Sequence, residues 1–182
     1  MSARQGSARL RGLPPIEASG ARVLVLGSMP GTASLAAGQY YAHPRNGFWN
    51  IIGAVTGTAA DRPYAHRVAA LRTAGIALWD VVASCRRRGS LDAAIDRRSL
   101  ELNDFATFLD QHPQIDCVLF NGTTAEALFR RRVLPTLSGR APKLLRLPST
   151  SPAHAGLHHD RKRQLWQRAL TAALADADAE AP

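Results

Sequence analysis

The densest run of side chains able to do chemistry in this 182-residue chain spans Tyr40 to Asn50: Tyr-Tyr-Ala-His-Pro-Arg-Asn-Gly-Phe-Trp-Asn. Pro44 and Gly47 make most of it a loop, and the apolar period that starts at Phe48 makes that loop lead into a helix. A loop tyrosine such as Tyr41 can stack its ring on a flat ligand. Phe48 and Trp49 read more readily as core anchors. Asn46 stands just ahead of the helix, where an Asn side chain serves as an N-cap. It also brings an amide oxygen and an amide NH2 to that place.

Other segments supply N–H, hydroxyl or basic groups. Gly27-Ser28-Met29-Pro30-Gly31-Thr32 can turn sharply and aim several N–H groups at one point, or it can be a structural turn. It has neither the spacing and Lys of a phosphate-binding P-loop nor the G-x-G-x-x-G pattern. Cys85-Arg86-Arg87-Arg88-Gly89-Ser90, with Arg97 and Arg98 beyond, is either a solvated face or a phosphate contact. Pro148-Ser149-Thr150-Ser151-Pro152-Ala153-His154 is stiffened by two prolines. It can lie along a phosphate backbone and push a rigid wedge into a groove, or it can simply cap the last helix. Asp80 and Asn121 each end an apolar run, and each either pairs locally or faces a pocket.

The elements that position these groups follow from periodicity. Apolar runs at 22–26, 76–82, 115–120 and 143–147 lack clean alternation, as expected of parallel strands covered on both faces. Helical stripes occupy 48–55, 65–72, 102–111, 123–132 and 161–174. Strand and helix alternate, which predicts a single α/β domain with a four-stranded parallel sheet flanked by helices. The expected boundaries are a loose leader at 1–20, the domain at 21–174 and a flexible acidic tail at 175–182. Ligands of such sheets sit beyond the carboxyl ends of the strands, where most of the segments above fall.

Composition narrows the partner. The net charge is +9, and all but two of the 23 basic residues are arginine; Lys143 and Lys162 are the exceptions. A field of that sign favours polyanions, nucleic acid first among them. Two cysteines, Cys85 and Cys117, are too few for an iron–sulfur cluster or a Cys-rich zinc site, and no metal or cofactor is expected. The first residues lack the apolar run expected of a signal peptide, and no run approaches the roughly 20 apolar residues of a membrane span. The cytoplasm is the expected compartment and a monomer the default.

In their order along the chain, these pieces resemble the uracil-DNA glycosylase superfamily, and within it the hypoxanthine (deoxyinosine) DNA glycosylase branch. The resemblance covers residues 23–155. The segment from Tyr41 to Trp49 is similar to the H-P-x-N-x-F-W stretch of that branch and of the mismatch-specific uracil glycosylases. Gly27 to Gly31 occupies the place of the first glycosylase motif, and residues 148–155 that of the second, which inserts into the minor groove. One departure matters: where many relatives carry a water-positioning Asn or Asp in the first motif, this chain has Met29.

The resemblance implies a monofunctional hydrolase of base excision repair acting on duplex DNA with a deaminated base, or on single strands. That base would be hypoxanthine, uracil or xanthine. It implies Asn46 as the residue that orients the hydrolytic water. Tyr41 would stack on the flipped base, in a pocket of Gly27, Ser28, Met29, Pro30, Gly31, Asp80 and Asn121. Arg86, Arg87, Arg88, Ser149, Thr150, Ser151, Pro152, Ala153 and His154 would contact DNA. The rival readings are an α/β module that grips nucleic acid without chemistry and another small α/β hydrolase or nucleotide binder. The latter lacks a Gly-x-Ser-x-Gly elbow or a Walker loop.

Overall fold

Each of the four apolar runs contributes a strand to one parallel sheet in the structure, a computed structural model that describes residues 8–139, 141–154 and 156–179. In chain order the elements are β1 (Arg9–Arg11), β2 (Val23–Gly27), α1 (Thr32–Ala37), α2 (Phe48–Thr56), α3 (Tyr64–Thr73), β3 (Ile76–Asp80), β4 (Val82–Arg87), β5 (Ile95–Leu102), α4 (Phe105–Gln111), β6 (Cys117–Asn121), α5 (Thr123–Leu128), β7 (Lys143–Leu147) and α6 (His159–Ala179). The sheet order is β3-β2-β6-β7, all parallel.

Alternation along each inner strand divides the core in two. Val23 and Val25 of β2 join Ile76, Leu78 and Leu119 beneath α2, α3 and α6. Leu24 and Leu26 join Val118 and Phe120 on the other face, against Phe105, Phe108 and Phe129. The in-register pairs Gly27 with Asp80 and Asn121 with Leu147 line up the carboxyl ends of the strands. One expectation is corrected here. β7 lies at the sheet's edge rather than covered on both faces, and its Leu145 is 45% exposed.

The sequence reading missed a second sheet of three antiparallel strands, ordered β1-β4-β5. The run at 76–82 is two strands, because the chain leaves the parallel sheet after Asp80 and enters β4 at Val82. Leu102 ends β5 instead of opening a helix, and α4 begins only after Asp104, whose carboxylate accepts the Thr107 N–H at 3.1 Å. The supposed leader is also built in from residue 9. β1 pairs with β4, and buried Ile16 exchanges two backbone hydrogen bonds with Leu78, covering the outer edge of β3. At the other end α6 runs through Ala179, so the expected tail is helical over residues 175–179. Residues 1–7 and 180–182 lie outside the described residues. No helix among the described residues is long and apolar enough to cross a membrane.

Candidate active site

An open cleft of about 710 Å³ lies at the carboxyl ends of the strands. Its floor is the junction of β2 and β3. Gly27 is there because nothing larger fits: a Cβ on it would meet the Asp80 carboxylate at 2.2 Å and the Tyr41 hydroxyl at 3.0 Å. Asp80 is buried, and its backbone carbonyl is held by the Asn103 amide at 2.7 Å. Burial, then the charge of Asp92, pushes the Asp80 carboxyl up to about 7, against the opposing pull of Arg87. Neither Asp80 Oδ2 nor the Tyr41 hydroxyl has a hydrogen-bond partner. Burial followed by the Asp80 charge holds the phenol above its ordinary range, against the opposing influence of Asn121. Two buried polar atoms left unpaired are costly, and both belong to residues that line the cleft.

Phe48 assembles the wall beside this floor. Fully buried at the start of α2, it stacks on the Tyr41 ring with centroids 4.1 Å apart, and its N–H donates to Asn46 Oδ1 at 3.0 Å. Tyr41 has φ 53°, the sole positive φ among the described non-glycine residues, a conformation that costs about 1–2 kcal/mol. Trp49 anchors the segment from beneath by donating its indole N–H to the Tyr40 carbonyl at 2.8 Å. The expected N-cap is corrected: Gly47 takes that position, and Asn46 stands one residue before it. It binds the first turn of α2, and it lines the cleft. A carbonyl oxygen has two lone pairs, so the bond to Phe48 fixes Oδ1 and leaves it able to accept again.

The 27–32 turn forms the next wall and is braced from the hairpin that joins β4 to β5. Arg87, expected at the DNA surface, is corrected: only 4% exposed, it donates to the Met29 carbonyl at 3.4 Å and the Pro30 carbonyl at 2.5 Å. Register shifts between Val82 and Arg86 turn Arg86 outward and Arg87 inward. Beyond it, Asp92 accepts the Ser28 hydroxyl through both carboxylate oxygens, at 2.7 and 2.8 Å. Ser90 Oγ accepts the Thr32 N–H at 3.0 Å. Arg86, Arg88, Arg97 and Arg98 are exposed on the same hairpin.

The loop after β7 closes the far side. Trp166 of α6 donates to the Pro148 carbonyl at 2.8 Å, and buried Lys162 donates to the His154 carbonyl at 2.5 Å. Thr150 is 2% exposed, which removes it from the expected DNA contacts. Its N–H and hydroxyl instead bind both ends of the Asn121 amide at 2.9 Å, and its carbonyl accepts the Gly47 N–H. Asn121, expected to face the base, borders the cleft but turns its amide to Thr150. Ser149, Ser151 and Pro152 are half-buried, while Ala153 and His154 are exposed. Ala155 is outside the described residues.

This geometry has counterparts among known proteins. Residues 14–175 match the family model described as the uracil DNA glycosylase superfamily. The chain belongs to that superfamily. A hypoxanthine DNA glycosylase of Methanosarcina acetivorans is 32% identical over 158 residues, 86% of this chain and 95% of the relative. One from Methanosarcina barkeri is 38% identical over 113 residues, 62% of this chain and 70% of the relative. The fold also superimposes on a solution NMR structure from Methanosarcina acetivorans, provisionally assigned as a uracil DNA glycosylase. The TM-score is 0.74 at 28% identity, covering 91% of this chain and 99% of the other.

For a member of the uracil DNA glycosylase superfamily, the sequence reading collected most of the cleft and missed its braces. It passed over Asp92 and Ser90, which fix the first motif, and Ser34, whose hydroxyl accepts the Ala42 N–H at 3.2 Å. The available signal was Gly89-Ser90-Leu91-Asp92, a turn sequence between two short polar–apolar stretches, and the neighbouring arginines masked it.

Proposed function

We propose that this protein is a monofunctional DNA glycosylase that hydrolyses the N-glycosidic bond of hypoxanthine in DNA. It would serve base excision repair as a cytoplasmic monomer. One observation carries the reading: Asn46 and Tyr41 are assembled on Phe48 above a floor whose two buried polar atoms lack partners. The names of the two Methanosarcina relatives support the choice of hypoxanthine.

The nucleotide leaves the stack, most readily when it is mispaired, and its base lies against the Tyr41 ring. Asp80 in its neutral form donates to a carbonyl oxygen of the base, which gains charge as the bond breaks. Asn46 Oδ1 holds a water under the sugar carbon; an amide is too weak a base to take the proton, so its contribution is orientation. The electron pair of the C–N bond leaves with the base. Water gives its hydroxyl to the sugar, and its proton ends on the departed base. Among the described residues the cleft lining contains no lysine that could form an imine with the sugar, so strand cleavage is not expected.

The test is excision from oligonucleotides containing hypoxanthine, uracil or xanthine, with strand scission by alkali. Asn46→Ala should lower turnover about 100-fold or more while binding to the hypoxanthine duplex persists. Asn46→Asp, which keeps an oxygen for the Phe48 N–H, separates loss of the amide from loss of the turn that leads into α2. Turnover by Asn46→Ala within severalfold of wild type would dismiss the role. Tight binding without excision by the wild-type protein would favour the non-catalytic module.

A further inference from the structure

Among the described residues two large apolar side chains stand out in solvent, Leu91 at 59% and Leu145 at 45%. A lone exposed leucine is ordinary. Leu91 differs in how and where it is held. Its neighbours on both sides are tied to the first motif, Ser90 to Thr32 and Asp92 to Ser28, so the side chain between them is presented on a rigid tip. It lines the mouth of the cleft. The same hairpin exposes Arg86, Arg88, Arg97 and Arg98. An apolar tip flanked by arginines suits a duplex, whose phosphates attract the cations and whose stacked bases accept an apolar wedge.

The sheet order gives this tip its counterpart. The hairpin follows β3 at one end of the row of strands, and the 148–154 loop follows β7 at the other. Among the described residues of that loop Ala153 and His154 are the exposed ones, with Ser149, Ser151 and Pro152 half-buried. We infer that Leu91 is a second wedge, entering the stack beside the flipped nucleotide while the arginines of its hairpin hold the flanking phosphates. The inference rests on the glycosylase reading for its substrate and adds a residue that the reading does not contain.

Leu91→Ala is compared with wild type and with Leu145→Ala on hypoxanthine opposite thymine in a duplex, and on the same strand alone. Duplex kcat/KM should fall about 10-fold, since the wedge offsets part of the cost of unstacking. Single-strand turnover should stay within about twofold, and Leu145→Ala should match wild type on both. A binding readout stands apart from excision: 2-aminopurine placed beside the lesion should brighten when Asn46→Ala binds, and markedly less when Leu91→Ala is added. Equal losses on duplex and single strand, or unchanged brightening, would overturn the inference. Absence of excision by wild type would count against the glycosylase reading alone, because the fluorescence still decides whether Leu91 opens the stack.

Discussion

The floor of the cleft and the loop that closes it are both polar, and they are polar in opposite ways. On the floor, Asp80 Oδ2 and the Tyr41 hydroxyl are buried and unpaired. In the 148–154 loop, Pro148, Thr150 and His154 are each hydrogen-bonded to another element: α6, the end of β6, or the residue that precedes α2. On the proposed reading the floor is incomplete until a base enters, so its free energy changes most on binding. The loop is finished beforehand and gains only surface contact. Substitutions on the floor should therefore strike turnover, and those under the loop should strike affinity.

The largest effect tests the floor by crowding it. Gly27→Ala forces Asp80 or Tyr41 to move, because its methyl would lie 2.2 Å from the carboxylate. Displacement of reacting groups by about 1 Å costs on the order of 100-fold in rate, and overpacking costs about 1–3 kcal/mol of stability. We expect kcat to collapse while the melting transition stays cooperative; an active Gly27→Ala enzyme would mean that the floor does not touch the base.

The next effect is a pH profile. Asp80 is raised to about 7, so the folded protein binds a proton there more tightly than the unfolded chain. This group's contribution to stability is therefore lost as pH climbs from about 4 to about 7, and it stays lost above. Turnover that needs the neutral acid falls about tenfold per unit beyond the same value. Asp80→Asn should be slower than wild type near pH 6, flat through pH 7 to 9, and progressively more stable than wild type as pH rises. Coincident profiles for the two proteins would show that another group titrates.

Two smaller effects sharpen the other half of the contrast. Asn121→Ala removes both bonds to Thr150, and we expect KM to rise about five- to tenfold with kcat within about twofold, as befits one or two hydrogen bonds. Lys162→Met spares the packing and removes one bond to the His154 carbonyl, so a KM increase of about two- to threefold should suffice. A kcat loss larger than the KM change in either variant would erase the distinction between floor and loop.

The sequence disclosed some of this unevenly, for physical reasons. β2, β3 and β6 were legible because burial on both faces leaves apolar runs, and the leucines of β7 marked it although its edge position leaves it largely exposed. β4 and β5 were not, since one face carries arginines and the register shifts in β4 break the alternation that marks a half-buried strand. Asn46, Tyr41 and Asp80 could be picked out because their types suit a pocket at strand ends. The inward turn of Arg87 could not, because its partners are the carbonyls of Met29 and Pro30, and main-chain acceptors leave no mark in a sequence. Thr150 was misplaced for the same reason in part, being held by Asn121 and by the Gly47 N–H.

The brace across the first motif has a consequence for how the molecule comes into being. Ser28 and Thr32 are secured by residues 64 and 58 positions further along the chain, so the inner wall depends on contacts of high sequence separation. Such contacts close late, after a large loss of chain entropy. A nascent polypeptide halted at residue 80 can pair its first two parallel strands yet has no struts for the turn between them. Competence to act on DNA is thus acquired only once the hairpin has been synthesised and has docked.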